Sequence, residues 1–163
     1  MFKNKAICIW IFIFLTAFLI SCQEKTIRKV KNFIPVVWEI KNAEKGSVNI
    51  FNDLAVNIIT LKTNGECGLP TSLSKQQQQV MTGTWDVKEI NNRYCLVMEQ
   101  SENQLSGNYT IFIQRDTLKD GRDVISLLLD SGKTKIWAVR PVNRSKKEAE
   151  MLKELIWLNE KYK

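Results

Sequence analysis

The chain has 163 residues, with 24 basic and 17 acidic side chains and no histidine, for a formal charge of +7. The lack of histidine removes Ser-His and Cys-His catalysis and the commonest metal ligand. The length suits one domain with its own core, and the basic excess, mixed with acids throughout, suits anionic headgroups or an acidic partner.

At the N-terminus, Lys3 and Lys5 precede an apolar run, residues 6–20, broken only by Thr16. This is the layout of an export signal, and the run falls short of the roughly 20 residues a membrane span needs. Leu19-Ile20-Ser21-Cys22 follows. It resembles the lipobox of bacterial lipoproteins. The resemblance implies a diacylglycerol on the Cys22 sulfur, cleavage just before Cys22, and acylation of the new amine. Residues 1–21 are then the signal peptide. Losing Lys3 and Lys5 with it leaves +5 of the +7. Each buried methylene contributes about 0.8 kcal/mol, so several acyl chains anchor a protein durably.

Residues 22–32 read as the lipidated cysteine and a basic tether, with Lys25, Arg28, Lys29 and Lys31 against Glu24. Residues 33–163 read as a single domain. Residues 33–40, apolar and β-branched around Trp38, predict a first strand, with Pro35 near its start. Residues 48–51 suggest a short strand and residues 54–61 a clearer one. Asn64-Gly65 is a tight-turn signal, leading into Cys67-Gly68-Leu69-Pro70, expected as a compact loop. Residues 71–79 are polar, end in four glutamines, and read as a surface connection.

From Gly83 onward the alternation is clear. Trp85 and Val87 share one face, and the Asn91-Asn92 pair tolerates the positive φ of a two-residue hairpin. Tyr94, Leu96 and Met98 align on the return strand. Tyr109, Ile111 and Ile113 align next, with Phe112 on the other face. Ile125, Leu127 and Leu129 follow after Asp120-Gly121, and Trp137 and Val139 after Ser131-Gly132. Tight hairpins allow no crossover, so these five strands predict an antiparallel meander. With mainly one apolar face per strand, the sheet must curl into a small barrel or be covered. Ser145 and Glu148 have capping-box spacing. The helix they start, to about residue 161, aligns Met151, Leu155, Leu158 and Tyr162, with Leu152 and Ile156 beside them. The expected fold is mainly β, with one C-terminal α-helix. Trp38-Glu-Ile-Lys and Trp85-Asp-Val-Lys echo each other, which supports β structure in both halves.

Export places Cys67 and Cys95 where disulfides persist. A bridge would close a loop of fewer than thirty residues, worth about 3–4 kcal/mol by chain entropy. The other reading is two unpaired buried thiols. Trp38, Trp85, Tyr94, Tyr109 and Trp137 are the candidates to line a pocket if the barrel holds one.

Gly83-Thr84-Trp85 opening a meander, with a helix after the last strand, resembles the lipocalin and calycin pattern. There a Gly-x-Trp starts a barrel strand and the barrel encloses a small apolar ligand. The mature layout also resembles small Bacteroidota lipoproteins of unassigned function, which carry a tryptophan strand, an Asn-Gly-x-Cys-Gly-Leu-Pro-like loop and a Gly-x-Trp meander. Surface lipoproteins of that group tend to carry an acidic stretch just after the cysteine; here only Glu24 is acidic before the lysines, so the resemblance implies the periplasmic face of the outer membrane. No Gly-rich phosphate loop, Gly-x-Ser-x-Gly elbow or Cys-x-x-Cys pair is present, and turn chemistry accounts for Asp116, Asp120, Asp123 and Asp130. The expectation is a non-enzymatic envelope lipoprotein with no cofactor, no metal and no nucleic-acid partner. It is held to the membrane through Cys22 and binds a protein as an inhibitor, immunity or assembly factor would. The alternative is a lipocalin-like carrier of a small apolar or lipid-like ligand.

Overall fold

The computed structural model describes residues 24–74, 80–143 and 145–161. The signal peptide, Cys22, the glutamine tract and the side chains of Leu158 and Tyr162 lie outside the described residues. Helix α1 (residues 24–33) comes first. The strands are β1 (Val37–Lys45), β2 (Val48–Asn49), β3 (Ile58–Leu61), β4 (Glu66–Pro70), β5 (Val80–Ile90), β6 (Arg93–Glu99), β7 (Gly107–Thr117), β8 (Asp123–Asp130) and β9 (Thr134–Pro141), followed by α2 (Lys146–Lys161). A 3-10 turn (Phe51–Asp53) lies between β2 and β3.

Every neighbouring pair of strands is antiparallel, in the order β1-β3-β4-β5-β6-β7-β8-β9, and β1 pairs back onto β9. The result is a closed eight-stranded meander barrel, with β2 folded onto the end of β1. Closure leaves no long unpaired edge of the kind that templates aggregation. The two-residue turn between β5 and β6 has Asn91 at φ 52° and Asn92 at φ 61°, as the Asn-Asn pair predicts. A bulge in β1 between Ile40 and Asn42 lets Ile40 and Ala43, three residues apart, both enter the core. Gly83 has a packing reason to lack a side chain: a Cβ there would stand 2.4 Å from the Glu99 carbonyl oxygen of β6.

Two sequence readings change. Residues 66–70, expected as a loop, form β4, which joins β3 to β5. Most of the expected tether, residues 24–32, is helix α1, which also takes in Phe33, the expected start of the first strand; Val30 and Phe33 are buried and Ile27 packs on the same core. Three apolar residues at i, i+3 and i+6 make a helical stripe even among lysines.

The helices close one end of the barrel. The Trp38 indole N–H donates to the Ile34 carbonyl at 2.9 Å, tying the end of α1 to β1. Lys29 of α1 pairs with Glu154 of α2 at 2.6 Å, and α2 packs against β7. That strand pairs with β6 only as far as Thr110. Between the helices lies Arg140, on an inward position of β9 opposite Ile125. Its guanidinium stacks 4.7 Å from the Phe33 ring centroid and 5.4 Å from that of Trp38, and it pairs with Glu148 of α2. The two side chains are only 10% and 8% exposed. The contact is ionic without hydrogen-bond alignment, and both Glu148 oxygens lack a hydrogen-bond partner among the described residues. Ser145 caps α2 through Glu148 N–H at 3.2 Å. The Glu148 side chain serves Arg140 instead of completing the capping box.

At the opposite end, Ile50 and Leu54 flank the 3-10 turn and are buried in the core. Leu105 is buried there as well, and the Tyr109 hydroxyl donates to its carbonyl at 3.0 Å. Removing one partner of a buried ion pair strands the other charge and costs about 3–5 kcal/mol. Arg140→Met is therefore expected to lower unfolding stability by about that amount. Adding Glu148→Leu should recover much of the loss, and urea titration of both variants checks it.

Candidate functional site

An eight-stranded barrel is just wide enough to be filled by its own side chains or to hold one small ligand. The pocket candidates separate on this question. Trp38 and Tyr109 are buried in the interior. Trp85 is buried too, its indole N–H donating to the Lys62 carbonyl at 2.8 Å. Tyr94, opposite Glu89 on β5, is half-buried. Trp137 differs from expectation. It stands between Ile136 and Ala138, both core residues, so the alternation of the strand turns it outward. Interior residues of β1, β6, β8 and β9, including Trp38, Ile40, Leu96, Met98, Leu129 and Ile136, have 0% accessible surface, and the core residues of β3, β5 and β7 are at most 8% exposed. A ligand-sized void against these side chains would leave them accessible area. Burial also pushes the Tyr109 phenol up to about 12, against a lowering contact from Thr134, so it stays neutral.

The outer wall carries what the interior does not. Phe112, Leu128 and Trp137 face one another across β7, β8 and β9 in register. Leu128 is 42% exposed, and the two rings are half-buried. Trp137 is held in place by a polar relay. Its indole N–H donates to Ser126 Oγ at 3.2 Å, and the Ser126 hydroxyl donates to Asp116 Oδ2 at 3.3 Å. Ser126 is buried although it points away from the core, so the relay fixes the indole on the outer wall. Phe112 also lines an open groove of about 570 Å³ across β6, β7 and the end of β8, with Arg93, Cys95, Thr110 and Asp130. The row and the groove share Phe112, so the apolar row adjoins the polar groove on this wall. Phe112 and Leu128 were legible as the large apolar residues that break the alternation of their strands.

The expected disulfide is absent: Cys67 and Cys95 are both free and buried. Cys67 pairs with Gly83, in phase with inward Trp85 and Val87. Cys95 pairs with Lys88 and lies between inward Tyr94 and Leu96, on the outer wall. The two sit on opposite faces of a sheet with β5 between them, about 10 Å across at two strand spacings. A bridge needs Cα atoms within roughly 7 Å. Burial pushes both thiols up, only partly offset by the hydrogen bonds each makes.

The carboxylates near the hairpin ends are engaged locally. Asp120 pairs with Arg122 at 2.7 Å and Asp123 with Arg115 at 2.6 Å. The Arg122 guanidinium holds the Asp120 carboxyl below its usual range. Asp130 accepts from Gly132 N–H at 2.7 Å. Among the described residues no group of three potential ligands is poised for a metal ion. No described helix is long and apolar enough to cross a membrane. No family model, curated protein or solved structure matches the chain.

Free thiols give a direct check. Alkylation of the denatured protein without reductant should modify both Cys67 and Cys95, read by peptide mass spectrometry. In the folded protein both should react much more slowly, because the nucleophile is the thiolate and burial suppresses it. Full denatured labelling only after reduction would contradict the geometry.

Proposed function

We propose that the chain is a bacterial envelope lipoprotein, acylated at Cys22 and facing the periplasm from the outer membrane. Its barrel binds a protein partner through the outer wall, as an inhibitor, immunity or assembly factor. The observation that carries this reading is the division of the apolar residues. Most inward apolar positions are buried against one another, while Phe112, Leu128 and Trp137 are spent on the solvent side. A carrier of a lipid-like ligand would need room beside Trp38, Trp85 and Tyr109, and those side chains are buried. The reading is non-enzymatic: the groove brings together Arg93, Asp130, Cys95 and hydroxyl and amide side chains, and the Cys95 thiol is pushed up and therefore a poor nucleophile at neutral pH.

Two experiments test the halves separately. Labelled fatty acid should be incorporated into the expressed protein, and Cys22→Ala should abolish labelling and leave unprocessed precursor. Equal labelling of the variant would end the anchor reading. For the wall, cross-linking in intact envelopes should trap a discrete heteromeric species. Leu128→Glu should weaken it at least tenfold, since a charge buried in an interface core costs about 2 kcal/mol or more, without changing the unfolding midpoint. A stoichiometric lipid retained by the purified protein in native mass spectrometry would instead favour the carrier.

A further inference from the structure

We propose that the barrel end closed by α1 and α2 docks on an anionic bilayer, so that attachment at Cys22 fixes the orientation of the barrel. The inference rests on the lipid anchor proposed above and adds the surface that meets the membrane.

The connection is short. Only Gln23 separates Cys22 from residue 24, the first described residue of α1. Two residues of extended chain reach at most about 7 Å. The helix is also held firmly. Ile27, Val30 and Phe33 pack on the core, and the Trp38 indole grips the carbonyl just beyond the last turn. Lys29 and Lys31 tie α1 to Glu154 of α2 and Asp86 of β5, at 2.6 and 2.5 Å. A chain fixed in this way transmits the position of its lipid to the whole barrel.

The charge of the helix suits the surface it must face. Lys25, Arg28, Lys29 and Lys31 are all exposed, against the single acid Glu24. Lys29 and Lys31 answer carboxylates of the protein itself, whereas Lys25 and Arg28 stand closest in sequence to Cys22. A negative leaflet attracts juxtamembrane bases by roughly fivefold in partitioning for each residue. That attraction acts within a Debye length of about 8 Å, the range the short connection enforces. The opposite end of the barrel holds the turns at Gly46 and Lys133, which meet through a 2.6 Å backbone hydrogen bond. Docking by the helices turns those loops away from the membrane and leaves the wall bearing Phe112, Leu128 and Trp137 open to the side.

The test uses the acylated protein on vesicles of phosphatidylcholine alone and of phosphatidylcholine with phosphatidylglycerol. Lysines are acetylated in a brief pulse and read by peptide mass spectrometry. Docking predicts that Lys25 reacts at least about threefold more slowly on the anionic vesicles. Lys45 and Lys133, at the far end, should react equally on both, and high salt should restore Lys25. In Arg28→Glu the difference at Lys25 should shrink. Failure to float with phosphatidylcholine vesicles would remove the anchor and the docking with it. Flotation with equal acetylation of Lys25 on the two vesicle types would overturn the docking alone.

Discussion

A cation on an inward position of a barrel strand must be answered, and Arg140 is answered from three directions. Phe33 and Trp38 give it aromatic faces, and Glu148 gives it a countercharge. These residues belong to α1, β1 and α2, so one guanidinium joins both helices to the first and last strands of the barrel. β1 and β9 are also the strands whose pairing closes the sheet. The seam of the barrel and the lid over its end therefore meet at one side chain. Burying the pair is not a gain in itself, because desolvation offsets most of the attraction. What it does is join elements: Glu148 near the start of α2 reaches Arg140, and Phe33 at the end of α1 covers it.

Closure has a second consequence. A sealed meander with a packed interior offers a partner only its outer wall and its two ends. One end is occupied by α1 and α2. At the other, Tyr109 and Leu105 meet through a buried hydrogen bond, and Asn103 donates to the Pro70 carbonyl at 3.0 Å. Among the described residues, both arrangements fill their end of the barrel with buried side chains and hydrogen bonds. The wall is different in kind, because the Trp137–Ser126–Asp116 relay orders an aromatic side chain on the solvent side of the sheet.

The meander was legible because two independent signals agree there. Alternation selected the inward residues of β5 to β8, and Asn91-Asn92, Asp120-Gly121 and Ser131-Gly132 marked the turns. β4 escaped because Cys67, Gly68, Leu69 and Pro70 give only two inward apolar positions, at Cys67 and Leu69, within a run that contains Gly and Pro, and both residues lower strand propensity. α1 escaped because its stripe is three residues wide and its charges suggest a solvated segment. The disulfide expectation failed for a different reason. Compartment chemistry says whether a bridge can persist, not whether two thiols can meet. The strand alternation that puts Tyr94 and Leu96 inward already sends Cys95 outward, while Cys67 shares the phase of Trp85. Trp137 followed the same rule against expectation. Its alignment with Val139 suggested the inward phase, but Ile136 and Ala138 claim that phase.

Phe112, Leu128 and Trp137 show how far that rule extends. In a half-buried strand, the solvent phase carries Lys, Glu, Thr and Asn without penalty, as Lys88, Lys135 and Asn108 do elsewhere on this wall. Three large apolar residues on that phase, aligned across three adjacent strands, add nothing to a core they cannot reach. They do carry a solvation cost, since exposed apolar surface grouped in one patch favours association. Isolated exposed apolar residues are ordinary, but register alignment makes these three a single surface, continuous through Phe112 with the groove beside it. Burial of that surface by a second molecule, as proposed, would complete a packing that the fold leaves with both rings half-buried and Leu128 42% exposed.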